Sequence, residues 1–157
     1  MSRPAPRAAS RQLALQVLYA VDLAAGRKGE GERDASGRGA DAFESVARSF
    51  DLPEGARAFA KQLVFGVIER REELDRILGE HARNWRVERM AAVDRNVLRI
   101  AVYELLDTDT PTTVVIDQAI ELARRFGDDP SPAFVNGVID AVAVSVKRPE
   151  SSVGGEA

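Results

Sequence analysis

Apolar residues recur along most of this chain at the three- and four-residue spacing of an amphipathic helix. The first such stretch runs from Ser10, a suitable N-cap residue, to about residue 25. One side of the predicted helix is polar and includes Gln12, Gln16 and Tyr19. The opposite side is an apolar arc formed by Leu13, Ala14, Val17, Leu18, Val21 and Ala24. The spacing therefore predicts a helix that buries one face.

The same spacing predicts further helices and no strand. A bend or restart near Arg70 divides one long periodic segment. Residues 131–145 keep helical spacing although they are rich in β-branched side chains, which favour strands. The predicted helices cover 41–50, 54–70, 71–82, 93–107, 112–126 and 131–145, with a short helical turn at 88–91. The fold class is therefore all-α, with about seven helices.

The helix predicted at 93–107 is the most apolar segment of the chain. Between Val97 and Leu106 only Arg99 and Glu104 are charged, so apolar side chains cover nearly the whole circumference. A helix that is apolar on every side is surrounded by other elements. We expect this helix to be the long central helix of the fold.

Local signals mark the ends of the last two helices. Thr110 followed by Pro111 is typical of a cap and a first helical turn, and Ser131 before a second proline repeats that signal. Gly127 is placed to end the helix between them.

The chain divides into one helical domain and three segments of different composition. Residues 1–10 are predicted to form a flexible basic arm, and residues 11–147 a single helical domain. Within it, 26–40 carries five glycines among scattered charges and is predicted to be a flexible loop; it has no phosphate-loop spacing. Residues 148–157 are predicted to be a disordered tail.

Composition excludes several kinds of chemistry. The 157 residues are 45% hydrophobic and 30% charged, which is typical of a globular domain. There is no cysteine, so disulfides, thiolate metal sites and cysteine nucleophiles are absent, and His81 is the single histidine. No apolar run reaches the ~18 residues of a membrane span. We therefore expect a cytoplasmic protein that is not an enzyme and has no metal site, cofactor or membrane contact.

The distribution of charge along the chain favours a nucleic-acid partner, although the net charge does not. The net charge is −3, but Arg3, Arg7 and Arg11 lie in a stretch without acidic residues. Guanidinium groups bind phosphates, and aromatic rings such as Tyr19 and Phe134 can stack on unpaired bases. The alternatives are a solubilising tail for the arginines, a half-buried ring for Tyr19 and core packing for Phe134.

Three stretches of the sequence resemble a known protein family. VDRNVLRIAVYELL (93–106) and VVIDQAIELARRFGDDPSPAFVNGVID (114–140) resemble the C-terminal half of the NusB transcription antitermination family. RQLALQVLYAVDL (11–23) is similar to that family's first helix. The FVNGV motif preceded by ELA and FG is specific in this order. The likeness covers roughly 11–25 and 57–146 and fails over the glycine-rich loop.

The resemblance implies two three-helix subdomains around a central helix. It also implies binding of the boxA element of ribosomal-RNA leader transcripts. The family binds it jointly with NusE, a small-subunit ribosomal protein, in a complex that helps RNA polymerase resist termination. Neither a cofactor nor catalysis is implied.

The resemblance also implies roles for individual residues. The N-terminal basic arm contacts RNA in this family, and Arg7 and Arg11 match it, although Ala8 and Ala9 stand where more basic residues are expected. Tyr19 and Phe134 fall on aromatic positions of the pattern. A NusE-facing surface on the middle helices corresponds to Glu73, Leu74 and Arg89.

Two other hypotheses stay open on the sequence. NusB-like domains also precede the catalytic domain of certain ribosomal-RNA cytosine methyltransferases. This chain shows no cysteine and no glycine-rich strand–helix turn, so here such a domain would bind RNA without methylating it. The other hypothesis is a helical scaffold that forms a homodimer through an exposed apolar face.

Overall fold

The structure, a computed structural model, describes residues 6–25, 35–82 and 84–146. The predictions made for residues 1–5, 26–34, 83 and 147–157 lie outside that range. The described residues form seven α-helices and one short 3₁₀ turn, with no strand. They are α1 (Pro6–Ala25), α2 (Ala35–Ala47), α3 (Glu54–Glu69), α4 (Arg71–His81), the 3₁₀ turn (Val87–Arg89), α5 (Ala92–Asp107), α6 (Thr112–Phe126) and α7 (Ser131–Val146). The predicted all-α fold is confirmed.

The chain forms two compact units, Met1–Arg71 and Glu72–Ala157. In the first unit α1, α2 and α3 each pack against the other two. Each helix contributes fully buried apolar side chains, among them Leu13, Phe43 and Leu63. The apolar arc predicted for the first helix is therefore one side of a three-helix core.

Helix α1 begins earlier than its sequence signals indicate. It starts at Pro6, so residues 6–10 of the predicted arm are helical. Ser10 is not a cap: it is buried, and its hydroxyl donates a hydrogen bond of 2.7 Å to the backbone carbonyl of Ala56 on α3. A hydroxyl buried between two helices needs such a partner, because desolvating it without one is costly. This hydrogen bond therefore links α1 to α3.

Replacing Ser10 with alanine is expected to destabilise the protein by about 1 kcal/mol, the usual net contribution of one hydrogen bond. Urea unfolding followed by circular dichroism measures the effect. Ser45→Ala, at an exposed site on α2, is the matched control and should leave stability nearly unchanged. Equal effects of the two substitutions would show that the Ser10 bond contributes nothing.

Helix α2 includes part of the segment that the sequence predicts as a loop. It starts at Ala35, not near residue 41, and so contains Gly39. A Cβ atom on Gly39 would lie 2.7 Å from Cδ1 of Ile68 and 3.3 Å from the ring of Phe65. Glycine lowers helix propensity, but here its missing side chain lets α2 approach α3 closely. The predicted loop boundary at residue 40 is corrected for this reason.

In the second unit α5, α6 and α7 pack against one another. Every residue from 96 to 105 is buried, which confirms that α5 lies in the interior. The buried Arg99 forms a two-pronged ion pair with Asp75 on α4, with Nε–Oδ1 and Nη2–Oδ2 distances of 2.8 and 2.9 Å. This ion pair connects α4 to α5.

The predicted ends of α6 and α7 agree with the structure in position, but not all of the predicted capping interactions are present. Helix α6 starts after Pro111 without a side-chain cap, so Thr110 does not have the predicted capping role. Gly127 ends α6 as predicted, but its φ of −98° is not left-handed. Helix α7 starts at Ser131, whose hydroxyl accepts a hydrogen bond of 3.0 Å from the backbone N–H of Asp128.

Candidate nucleic-acid interface

The two arginines on α1 lie on one face because they are four residues apart. Both guanidinium groups lie over the ring of Phe59 on α3, with Cζ 4.2 Å from the ring centroid for Arg7 and 5.5 Å for Arg11. Arg7 is exposed, whereas Arg11 is only 4% exposed. Such cation–π contacts hold a guanidinium in place without neutralising its charge. Arg7 is therefore a preoriented surface cation, and Arg11 is chiefly part of the α1–α3 packing.

The sequence also predicts RNA contacts for Tyr19 and Arg3 near the N-terminus. Tyr19 is 38% exposed on α1, so its ring is accessible from solvent. Arg3 lies outside the described residues.

Sequence reasoning missed two further cations of the first unit. Arg57 and Lys61, on α3, lie over the ring of Phe43 at 5.2 and 5.6 Å from its centroid. Arg57 also pairs with Glu44 on α2 at 3.1 Å, whereas Lys61 is exposed. Their four-residue spacing could have signalled a shared basic face, but it does not reveal the aromatic ring beneath.

Phe134 lies at the start of α7 and is half-buried, so its environment is intermediate between core and surface. Its ring meets Trp85 edge to face, with centroids 5.8 Å apart and planes at 72°. Trp85 is 54% exposed and was not predicted as a site residue. A tryptophan between Asn84 and Arg86 in a short polar link between helices is the sequence signal that could have found it.

The residues predicted to face a protein partner do not share one environment. Glu73 on α4 and Arg89 on the 3₁₀ turn are exposed. Leu74 is completely buried, on the same helical face as the buried Ile77 and Leu78. Leu74 thus packs inside the molecule, and its assignment to a partner-facing surface is wrong.

Other kinds of site find no support in the part of the chain that the structure describes. Nδ1 of His81 lies 2.9 Å from the carbonyl oxygen of Ile77, one helical turn away, which is an ordinary local contact. Within the described ranges no three histidine or acidic side chains are grouped as metal ligands. None of the described helices has the length and apolarity of a membrane span.

The fold and these surfaces define a class of small helical proteins that display arginine and aromatic side chains. The family model for the NusB family matches residues 8–144. The chain belongs to the NusB family.

Relatives and a solved structure agree with this assignment. The chain is 49% identical over 138 residues to the transcription antitermination protein NusB of Anaeromyxobacter dehalogenans (strain 2CP-1 / ATCC BAA-258), covering 87% of this chain and 89% of the relative. It is 41% identical over 144 residues to that of Myxococcus xanthus (strain DK1622), covering 91% and 98%. A crystal structure of antitermination factors NusB and NusE with double-stranded RNA matches with a TM-score of 0.75 and 28% identity, covering 89% of this chain and 97% of that chain.

Proposed function

We propose that this protein is a transcription antitermination factor that binds boxA RNA of ribosomal-RNA leader transcripts together with NusE. In this role it helps RNA polymerase resist termination in the cytoplasm, acting by binding and not by catalysis. Family membership supports the antitermination role, and a related NusB has been crystallised with NusE and RNA.

The observation that carries RNA binding by this chain is the exposed guanidinium of Arg7 above the Phe59 ring. Holding the group in place reduces the conformational entropy lost when it binds a phosphate. Because Arg11 is buried, Arg7 is the accessible arginine among the described residues of α1. With so few accessible cations on this helix, the arm alone binds RNA weakly, and NusE supplies further affinity.

Arg7→Ala is expected to weaken binding of a boxA oligoribonucleotide in the presence of NusE by roughly three- to ten-fold, because one charged phosphate contact is lost. It should also make the slope of log affinity against log salt less steep by about 0.7, the value for one phosphate on a single strand. Fluorescence anisotropy of labelled RNA over a salt series measures both quantities.

Arg48→Ala removes the same charge from an exposed site in the turn that follows α2 and is the matched control. Equal effects of Arg7→Ala and Arg48→Ala would reject the Arg7 contact while leaving the function intact. Binding that shows no preference for boxA over a scrambled oligonucleotide, even with NusE, would reject the proposed function.

A further inference from the structure

The link between α4 and α5 contains a surface depression of about 480 Å³. This volume falls within the ~300–1,000 Å³ usual for small-molecule sites. The depression lies within the second unit and is lined by Gly79, Asn84, Trp85, Arg86, Val87 and Glu88. A Cβ atom on Gly79 would meet nothing within 4 Å, so space is open above that position.

Trp85 is held in this depression but not covered. The edge-to-face contact with Phe134 orients the indole, while 54% of the residue stays exposed. Tryptophan is enriched at binding interfaces, because the indole combines a large apolar face with an N–H donor. An oriented aromatic ring is also the surface on which unpaired nucleobases stack.

The polar side chains around the indole are of the kinds that bind the phosphate and the polar base edge of a nucleotide. Arg86 is exposed, with Nη1 4.0 Å from a carboxylate oxygen of Glu88, too far for a strong hydrogen bond. Its guanidinium therefore remains available to a phosphate. The Asn84 amide and the Glu88 carboxylate are exposed and offer donors and acceptors for the polar edge of a base.

We propose that Trp85, supported by Phe134, is a stacking platform for one unpaired RNA base, with Arg86 binding the adjacent phosphate. This inference rests on the proposed function and adds to it a base-binding subsite in the second unit. The combination of indole, amide and guanidinium favours a nucleotide over an apolar peptide, which would leave the polar groups without partners. A base stacked inside a duplex cannot reach the indole, so the site selects single-stranded RNA.

The test uses the full chain with NusE and a labelled boxA oligoribonucleotide. Trp85→Ala should weaken binding by roughly ten-fold, within the range measured for the loss of one base stack. Trp85→Phe keeps an aromatic face and should stay within about three-fold of the unchanged protein, whereas Trp85→Leu should resemble Trp85→Ala. Leu23→Ala is the matched control, since Leu23 is an apolar residue of the first unit with the same 54% exposure, and it should bind normally.

A spectroscopic signal locates the contact. Trp85 is the single tryptophan, so 5-fluorotryptophan labelling gives one ¹⁹F resonance. We expect boxA RNA to shift it, and an abasic nucleotide at one position of the oligonucleotide to abolish both the shift and the penalty of Trp85→Ala.

Several outcomes overturn the platform and leave the proposed function standing. These are boxA-specific binding with no ¹⁹F shift and no penalty for Trp85→Ala, an equal shift with duplex RNA of the same sequence, or a full shift with NusE alone. The last result would assign the surface to protein. Absence of any boxA preference would reject the proposed function and the platform together.

Discussion

Asp75→Ala is expected to lower the free energy of unfolding by about 3 kcal/mol, because it removes a two-pronged ion pair from a buried arginine. The Arg99 side chain is only 6% exposed, so the two lost hydrogen bonds are not fully replaced by bulk water. Arg99 also donates a hydrogen bond of 3.3 Å from Nη1 to Oδ1 of Asn96, which is a neutral acceptor. Urea unfolding followed by Trp85 fluorescence measures the effect in the unit that contains the pair.

Replacing Arg99 should destabilise the protein less than replacing Asp75. The Asp75 side chain is 27% exposed, so Arg99→Met leaves a carboxylate that water can still reach and should cost about 1–2 kcal/mol. Asp75→Ala combined with Arg99→Met should be less destabilising than Asp75→Ala alone.

An exposed ion pair on the same helix provides the control. Arg76 and Glu80 are 3.0 Å apart with both side chains more than half exposed, and Arg76→Ala should cost no more than about 0.5 kcal/mol. A loss equally small for Asp75→Ala would contradict the structural role of the buried pair.

Hydrophobic spacing predicted the helices of the second unit well, because apolar periodicity records which face is buried. Helices α5, α6 and α7 begin and end within about one residue of the predicted bounds. The same reasoning failed at the start of α2, where Gly39 was interpreted as a loop residue. Propensity describes an isolated helix, whereas the close contact of Gly39 with Ile68 exists only after α2 and α3 pack.

The candidate site was less predictable than the fold, because sequence gives charge but not exposure. Arg7 and Arg11 are equivalent in a list of basic residues, yet one is exposed and the other is buried against Phe59. Leu74 was assigned to a surface by its position in the family pattern, although its neighbours at three and four residues place it on the buried face. The sequence shows Trp85 in a polar link, but its contact with Phe134 and its exposure are visible only in the structure.

Gly127→Ala is expected to destabilise the protein by about 2 kcal/mol, although the backbone there suits any residue. The added Cβ would lie 2.6 Å from Oγ of Ser131, 2.7 Å from its Cβ and 2.8 Å from the carbonyl oxygen of Ala123. Ser131 is buried at the start of α7 and bonded to the N–H of Asp128, so it cannot simply move aside. Adding Ser131→Ala should not restore stability, because the Ala123 carbonyl remains in the way.

Gly137→Ala is the matched control and should raise the stability of the protein instead of lowering it. Gly137 lies inside α7, and a Cβ atom there would meet nothing within 4 Å. Alanine should therefore stabilise the protein by about 0.5–1 kcal/mol through its higher helix propensity. Thermal unfolding should place the melting temperature of Gly137→Ala above, and that of Gly127→Ala below, that of the unchanged protein. Equal melting temperatures for the two variants would show that the α6–α7 turn relaxes around the added methyl group, and that Gly127 is not required for its close packing.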